Sequence, residues 1–288
     1  MSRRADALVE IGTEELPPVA LRRLGEALRD NLADGLGRSG LVHDGLEWFA
    51  SPRRLAVSVA GLAGDEPDRE SLRRGPAVKA AFDADGRPTK AAEGFARSCG
   101  VEVAALERQA DAKGEYLVHR SSEPGRPVET LLPELVGDAL AGLPIPRRMR
   151  WGAGEAEFVR PVHWVVLLFG DAVIEADILG VRAGRDSRGH RFHAPGPLPI
   201  PAAADYEARL RDPGHVIARF DERRERVRAL VTGAAEAGGG QALLSDALLD
   251  EVTALVEWPA PVTGSFDERF LDLPREVRSE EHTSELQS

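Results

Sequence analysis

Apolar residues recur at helical spacing in several parts of this chain. Five leucines, three or four residues apart, predict an amphipathic helix over residues 16–40: Leu21, Leu24, Leu28, Leu32 and Leu36. Similar spacing predicts a helix over residues 127–144, kinked or interrupted by Pro133, and another over residues 245–258 with Ser245 as its N-cap. Helices of this kind bury one face, so we expect each to pack on a sheet or on another helix.

Shorter apolar runs predict strands between these helices. Runs with the length and composition of strands occupy residues 6–12, 46–50, 54–63 and 114–121. The turn-forming pair Ser51-Pro52 predicts a hairpin, and residues 162–181 predict two more strands about Gly170-Asp171. The sequence therefore predicts an α+β fold of mixed sheets with packed helices, divided into two subdomains.

Length and composition narrow the class of protein. At 288 residues, with 42% hydrophobic and 30% charged residues, the chain is typical of a globular protein, and we expect two α+β regions, residues 1–145 and 146–277. Cys99 is the only cysteine, which excludes an internal disulfide and favours a reducing compartment. The longest apolar run, residues 164–169, is far shorter than the roughly 20 residues that cross a bilayer. We expect a cytoplasmic protein without membrane contact.

Arginines gather in two segments although the formal net charge is −11. The first segment has four arginines and a tryptophan directly before an apolar run: Arg147, Arg148, Arg150, Trp151 and Arg160. The second, SRGHRFH at residues 187–193, adds Arg188, His190 and Arg191. Guanidinium groups bind phosphate and aromatic faces stack on unpaired bases, so we interpret the two segments as a candidate RNA-binding patch. A solvated basic loop with Trp151 in the core explains the first segment equally well.

Catalytic motifs are absent from the sequence. It contains no phosphate-binding Walker loop, nucleophile elbow or H-E-x-x-H pattern, so we assign no catalytic residue. His190 and His193 lack an obvious third ligand, so we assign no metal site. Adjacent Glu14 and Glu15 could form a catalytic pair, but we interpret them as first-turn charges of the first helix. An independent metabolic or hydrolytic enzyme, with His163, His190 or His193 in a cleft, stays open as an alternative.

Six blocks of sequence carry a resemblance to a known family. They are VEIGTEELPP (9–18), SPRRLAV (51–57), GPAVKAAFDADGRPTKAAEGFAR (75–97), RMRWGAGEAEFVRPVHWVVLLFG (148–170), SRGHRFH (187–193) and LLDEVTALVEWPAPVTGSFDERFLDLPREV (248–277). In this order, over residues 6–277, they resemble the N-terminal part of the β subunit of bacterial heterotetrameric glycyl-tRNA synthetase.

The resemblance implies a subunit of an α2β2 enzyme that joins glycine to its tRNA with ATP. In that family the α subunit carries the class II catalytic core, and the β subunit contributes tRNA recognition. The resemblance thus implies an accessory, tRNA-binding chain that binds no cofactor itself, ATP being used by the assembled enzyme. The implied partners are the α subunit, the tRNA for glycine and a second β subunit. The arginine segments are candidate tRNA contacts because of their chemistry, not through the resemblance.

The resemblance stops before the end of the chain. Residues 278–288, RSEEHTSELQS, lack apolar periodicity, and we interpret them as a non-native tail appended to a truncated reading frame. A native polar tail is the alternative. The family's later HD-type helical region and C-terminal anticodon-binding domain have no counterpart in this sequence.

Overall fold

A computed structural model describes residues 3–83, 85–111 and 114–264, together with positions 267, 269 and 272. The strands are β1 (Arg4–Thr13), β2 (Gly45–Ser51), β3 (Arg54–Ala63), β4 (Arg69–Ala77), β5 (Glu107–Asp111), β6 (Gly114–Glu123), β7 (Met149–Arg150), β8 (Glu157–Phe158), β9 (Val162–Phe169), β10 (Ala172–Val173), β11 (Asp177–Ile178), β12 (Val181–Gly184), β13 (Asp186–Arg188) and β14 (Pro197–Pro199). The helices are α1 (Pro18–Ser39), α2 (Val78–Ala81), α3 (Lys90–Cys99), α4 (Val128–Ala141), α5 (Tyr206–Arg211), α6 (Phe220–Ala237) and α7 (Asp246–Leu255). The α+β class predicted from the sequence is confirmed.

The chain folds into two compact units. The larger unit combines residues 1–64 with 128–288, and the smaller unit is residues 65–127. The boundary predicted between residues 145 and 146 lies inside the larger unit, between α4 and β7. The predicted tail, residues 278–288, lies outside the described residues.

A seven-stranded sheet forms the centre of the larger unit. Its order is β11-β12-β9-β1-β3-β2, with β10 paired to β9; β12 runs parallel to β9 and the other pairs are antiparallel. Val9 and Ile11 of β1 face the core that contains the predicted leucine stripe of α1, whereas Leu8 faces a second core with Tyr206 and Leu210. Both faces of the sheet are thus covered, which explains why β9 is a nearly continuous apolar run and why β1 is apolar at successive positions 7–9.

Two helices of the larger unit show where the predicted helices end and whether Pro133 interrupts one of them. α1 ends at Ser39, where Gly40 adopts the left-handed conformation with φ of 69° and stops the helix. α4 contains Pro133 yet continues to Ala141, and its apolar side packs against the same core as α1.

The predicted second strand of residues 162–181 is instead divided into the short strands β10, β11 and β12.

The smaller unit has its own sheet and core. Strands β4, β6 and β5 form an antiparallel sheet in that order, and α2 and α3 contribute Ala81, Ala92 and Ala96 to a small apolar cluster with Leu106 and Leu117. No helix in the described part of either unit has the length and apolar character needed to cross a membrane.

Candidate functional site

A buried ion network lies between β1, the β2–β3 turn and the C-terminal side of α7. Arg54 is fully buried and donates hydrogen bonds to Glu10 Oε1 and Glu257 Oε1, both at 3.0 Å. Ser51 Oγ accepts from Arg54 at 3.0 Å and donates to Glu257 at 2.8 Å. Ser187 Oγ, on β13, donates to Glu10 at 2.9 Å. The network therefore joins four segments that are far apart in the sequence.

The charges of this network are mutually stabilised. Burial opposes the positive charge of Arg54, but the carboxylates of Glu257 and Glu10 outweigh it and raise the pKa of Arg54 above its ordinary value. Burial likewise opposes ionisation of Glu257, yet Arg54, Arg53 and the hydrogen bond from Ser51 hold the pKa of Glu257 below its ordinary value. The pair therefore stays ionised, and losing one partner would leave a buried charge uncompensated.

The network also fixes the backbone of the loop that follows β13. Arg54 donates to the carbonyl oxygen of Arg188 at 2.8 Å, and Arg53 donates to that of Gly189 at 2.8 Å. Arg53 also binds Glu257 Oε2 at 3.2 Å. The start of the SRGHRFH segment is thus held in place from the interior of the protein, where Ser187 is buried, while Arg188 is exposed.

A polar pocket of about 460 Å³ opens beside the network. Its lining residues are Thr13, Glu14, Arg53, His163, Trp164, Arg188, Gly189, Arg191, Pro195 and Gly196. Three guanidinium groups and one carboxylate line this pocket, so its chemistry favours an anionic or hydrogen-bond-accepting ligand. We call it the arginine pocket.

Glu14, in the β1–α1 loop, lines the arginine pocket, and Glu15 follows it in the same loop. Glu14 Oε1 lies 2.9 Å from His163 Nε2, and Glu14 Oε2 accepts from Arg191 at 3.3 Å. Arg191 also pairs with Glu15 at 3.4 Å, and Arg160 donates to the Glu15 carbonyl oxygen at 3.0 Å. The interpretation of the two glutamates as first-turn charges of α1 is wrong, because that turn has no acidic residue. They position His163 and two arginines instead.

The first arginine segment contains two unpaired cations. Arg147 and Arg150 are exposed, and neither makes a hydrogen bond through its side chain or an ion pair with any residue that the structure describes. Arg150 belongs to β7, which pairs with β8 directly before β9. Their guanidinium groups are available to bind phosphate.

Two neighbours in the first segment are held by the fold. Arg148 donates to the carbonyl oxygens of Leu140 and Ala141, at 3.5 and 2.9 Å, where α4 leaves its last carbonyls without helical partners. Trp151 is half-buried and packs against the core that contains α1. Both side chains therefore anchor the loop from which Arg147 and Arg150 project.

In the second arginine segment, too, one residue offers a free cation and another shapes the loop. Arg188 is exposed, with its guanidinium carbon 5.3 Å from the centroid of the Trp164 ring. His190 Nδ1 accepts from the backbone N–H groups of Phe192 and His193, each at 3.2 Å, and burial lowers the pKa of His190. A neutral imidazole that accepts two hydrogen bonds shapes this loop.

The two segments are not joined by direct bonds. Between residues 147–151 and 187–193, both fully described, there is no hydrogen bond or ion pair, although Arg160 and Arg191 both contact the loop at Glu14 and Glu15. No three histidine, cysteine, aspartate or glutamate side chains in the described residues are grouped to hold a metal ion.

Comparisons with known proteins identify the family. The family described as glycyl-tRNA synthetase beta subunit matches residues 7–284. This chain belongs to that family. The match includes residues 278–284 of the segment interpreted as a non-native tail.

Curated relatives in this synthetase β-subunit family are similar over nearly the whole chain. The glycine–tRNA ligase beta subunit of Marinobacter nauticus is 52% identical over 273 residues, and that of Hahella chejuensis is 51% identical over 272 residues. A third, from Citrobacter koseri, is 51% identical over 270 residues. Each alignment covers 94% of this chain but only 39% of the relative. The chain therefore spans about two fifths of the length of these β subunits.

Four of the six blocks that carry the family resemblance meet in the buried network. They supply Glu10, the Ser51–Arg54 turn, Ser187 and Glu257. Sequence reasoning assigned no role to these residues. The sequence contained one indication of the network: Glu10 lies within the buried run of β1, and a buried carboxylate requires a partner. The identity of that partner could not be read from the sequence.

Proposed function

We propose that this chain is the N-terminal part of a glycyl-tRNA synthetase β subunit that binds the tRNA for glycine. In this proposal it supports the ATP-dependent attachment of glycine, while the α subunit carries the catalytic centre and this chain binds no cofactor. Its partners are the α subunit, the tRNA and a second β subunit in an α2β2 assembly in the cytoplasm. Membership of the β-subunit family supports this role.

The observation that carries the tRNA-binding part is the set of exposed arginines without acidic partners. Arg147, Arg150 and Arg188 are exposed and form no ion pair with the described residues, whereas other exposed arginines, such as Arg4 and Arg182, pair with carboxylates. In a protein of net charge −11, a polyanion can bind only where a local positive patch overrides the overall repulsion. Unpaired guanidinium groups on fixed loops meet that requirement.

The remaining candidate residues support this surface in different ways. Arg148, Trp151 and Arg160 hold the first segment through α4, the core and the Glu15 carbonyl. His190 shapes the second segment, and Arg191 keeps a guanidinium at the mouth of the arginine pocket through Glu14 and Glu15. Phosphate contact by Arg147, Arg150 and Arg188 thus depends on neighbours that fix their backbone.

The test is the salt dependence of tRNA affinity in the complex of this chain with its α subunit. Replacing Arg147 and Arg150 together by alanine should weaken binding of the tRNA for glycine. It should also flatten the slope of log K against log salt concentration by roughly 0.7 to 0.9 per lost phosphate contact. The matched control is the double variant Arg29→Ala/Arg182→Ala, which removes two arginines already paired with Asp30 and Glu175. Equal affinity and slope in both double variants would contradict the proposal.

The catalytic part has a separate test. The chain without its α subunit should show no glycine-dependent exchange of pyrophosphate into ATP. The alternative, an independent hydrolytic enzyme, is favoured only by the close Glu14–His163 pair in the arginine pocket. Pyrophosphate exchange by the isolated chain, abolished by His163→Ala, would overturn the division of labour proposed here.

A further inference from the structure

Five aromatic rings form a continuous row on the larger unit. In order they are Phe192, His190, His193, His215 and Trp258, with successive ring centroids 6.1, 4.5, 5.7 and 5.4 Å apart. The rings come from three segments: the loop after β13, the loop after α5 and the segment after α7. We call this set the aromatic row.

Three of the five rings of the aromatic row are exposed, and the other two, His190 and His215, are half-buried. The Phe192 side chain is 81% exposed and Trp258 is 38% exposed, and His193 is also exposed. A single exposed apolar ring is common on protein surfaces, but a contiguous series with exposed rings at both ends marks an interaction surface.

The backbone beneath the row is fixed before any partner binds. The N–H of His190 donates to the carbonyl oxygen of Gly214 at 2.7 Å, which ties the first segment to the second. The N–H of Ile217 donates to the carbonyl oxygen of Glu257 at 3.0 Å, which ties the second to the third. Because Glu257 belongs to the buried ion network, the row rests on a rigid base and loses little conformational freedom on binding.

Two unpaired arginines lie near the segments that form the aromatic row. Arg188 precedes His190 and Phe192 in the same segment and lines the arginine pocket, and Arg226 lines a second pocket of about 440 Å³ with Trp258. Both arginines are exposed and neither has an ion-pair partner in the described residues.

Two carboxylates near the row are already neutralised. Glu257 is bound by Arg53 and Arg54, and Glu222 of the second pocket is bound by Arg211. An anionic chain that follows the row is therefore not repelled by Glu257 or Glu222, and it can reach the two unpaired arginines.

We propose that unpaired nucleotides of the tRNA stack on the aromatic row, with their phosphates at Arg188 and Arg226. The inference rests on the proposed tRNA-binding function and specifies which part of the RNA binds to this surface. Bases without a pairing partner expose flat faces that stack on aromatic side chains, whereas bases inside a duplex do not. Three of the five rings are imidazoles and the flanking charges are free, which suits RNA better than the apolar, charge-depleted core of a protein interface.

The test compares Phe192→Ala with Phe192→Trp in the complex of the chain with its α subunit. Loss of the ring should weaken binding of the tRNA transcript roughly 5- to 100-fold, the range expected for one lost base stack, while tryptophan should preserve the affinity. A blunt RNA duplex should bind both variants equally. Leu243→Ala, which removes an exposed apolar side chain outside the row, is the matched control and should behave like the parent.

Trp258 gives a second, independent measurement. Stacking of a base at its end of the row should change its fluorescence on addition of the tRNA transcript, and that part of the signal should disappear in Trp258→Phe while affinity is retained. A Phe192→Ala variant that binds tRNA like the parent overturns the inference, as does one that loses tRNA only because it no longer associates with the α subunit. If the Arg147/Arg150 variant is weakened while Phe192→Ala is not, the proposed function stands and only the stacking surface is wrong.

Discussion

The tripeptide Pro-Arg-Arg occurs twice in this chain, at residues 52–54 and 146–148, and the two copies have opposite environments. In the first copy Arg53 pairs with Glu257, and Arg54 is fully buried and bound by two carboxylates. In the second copy neither arginine has a carboxylate partner in the described residues: Arg147 is exposed without a bonding partner, and Arg148 binds two backbone carbonyls. Identical local sequence therefore provides a structural ion pair in one place and a free surface cation in the other.

The difference depends on residues that are remote in the sequence. Glu10 and Glu257 lie 44 and 203 positions from Arg54, and the fold brings both to its guanidinium. The second copy follows α4, whose end offers backbone carbonyls to Arg148 but no carboxylate. An arginine is thus buried where the fold supplies its counter-charge, and it stays in solvent where the fold does not.

The sharpest test of this comparison is the same substitution in both copies. Arg54→Met should lower the free energy of unfolding by about 3–5 kcal/mol, because Glu10 and Glu257 would remain buried without their common partner. Arg148→Met, at the equivalent position of the second copy, should cost only about 1 kcal/mol, because it removes hydrogen bonds to backbone carbonyls and leaves no buried carboxylate unpaired. Urea unfolding of the full chain measures both values, and similar losses for the two variants would show that the copies are not distinct.

A smaller effect is expected from Glu257→Gln, and it depends on pH. The pKa of Glu257 in the folded state lies below its ordinary value of 4.5, so its ionised form stabilises the fold fully above about pH 4.5. This contribution is lost as the pH falls through the lower, folded-state pKa. At pH 7 the variant should lose about 1–3 kcal/mol, because a neutral amide replaces the charged acceptor of two arginines.

Melting temperatures of the parent and of Glu257→Gln at acid pH provide the control for this prediction. Below about pH 4.5 the melting temperature of the parent should fall more steeply than that of Glu257→Gln, so that the two curves converge. Parallel curves from pH 7 to pH 3 would mean that the Glu257 carboxylate does not contribute to the pH dependence of stability.

The smallest effect separates the two arginines within the second copy. Arg148→Ala should cost about 1 kcal/mol, because the carbonyls at the end of α4 lose a charged donor. Arg147→Ala should be neutral within about 0.5 kcal/mol. Thermal unfolding of both variants measures this difference in stability. Equal melting temperatures would show that Arg148 does not anchor the loop.

Much of the fold could be predicted because its signals are local. The leucine stripe of α1, the hairpin of β2 and β3, and the Ser245 cap of α7, whose Oγ accepts from the N–H of Leu248, were all visible in the sequence and are confirmed. Less of the site could be predicted. Its residues lie in loops whose neighbours come from elsewhere, so Glu14 and Glu15 were wrongly placed in a helix and the network around Arg54 was missed.

By itself the sequence determined the α+β class, the principal helices and strands, and the resemblance to the synthetase β subunits that the comparisons confirm. Those features follow from the spacing of apolar residues along the chain and from ordered blocks of similarity, and both are properties of contiguous segments. Only the tertiary structure decided which Pro-Arg-Arg copy is buried and which aromatic rings share a surface. A buried charge is stable only with a counter-charge, and the counter-charges of Arg54 come from segments that are distant in the sequence. The rings of the aromatic row likewise come from separate segments, which only the folded backbone brings together.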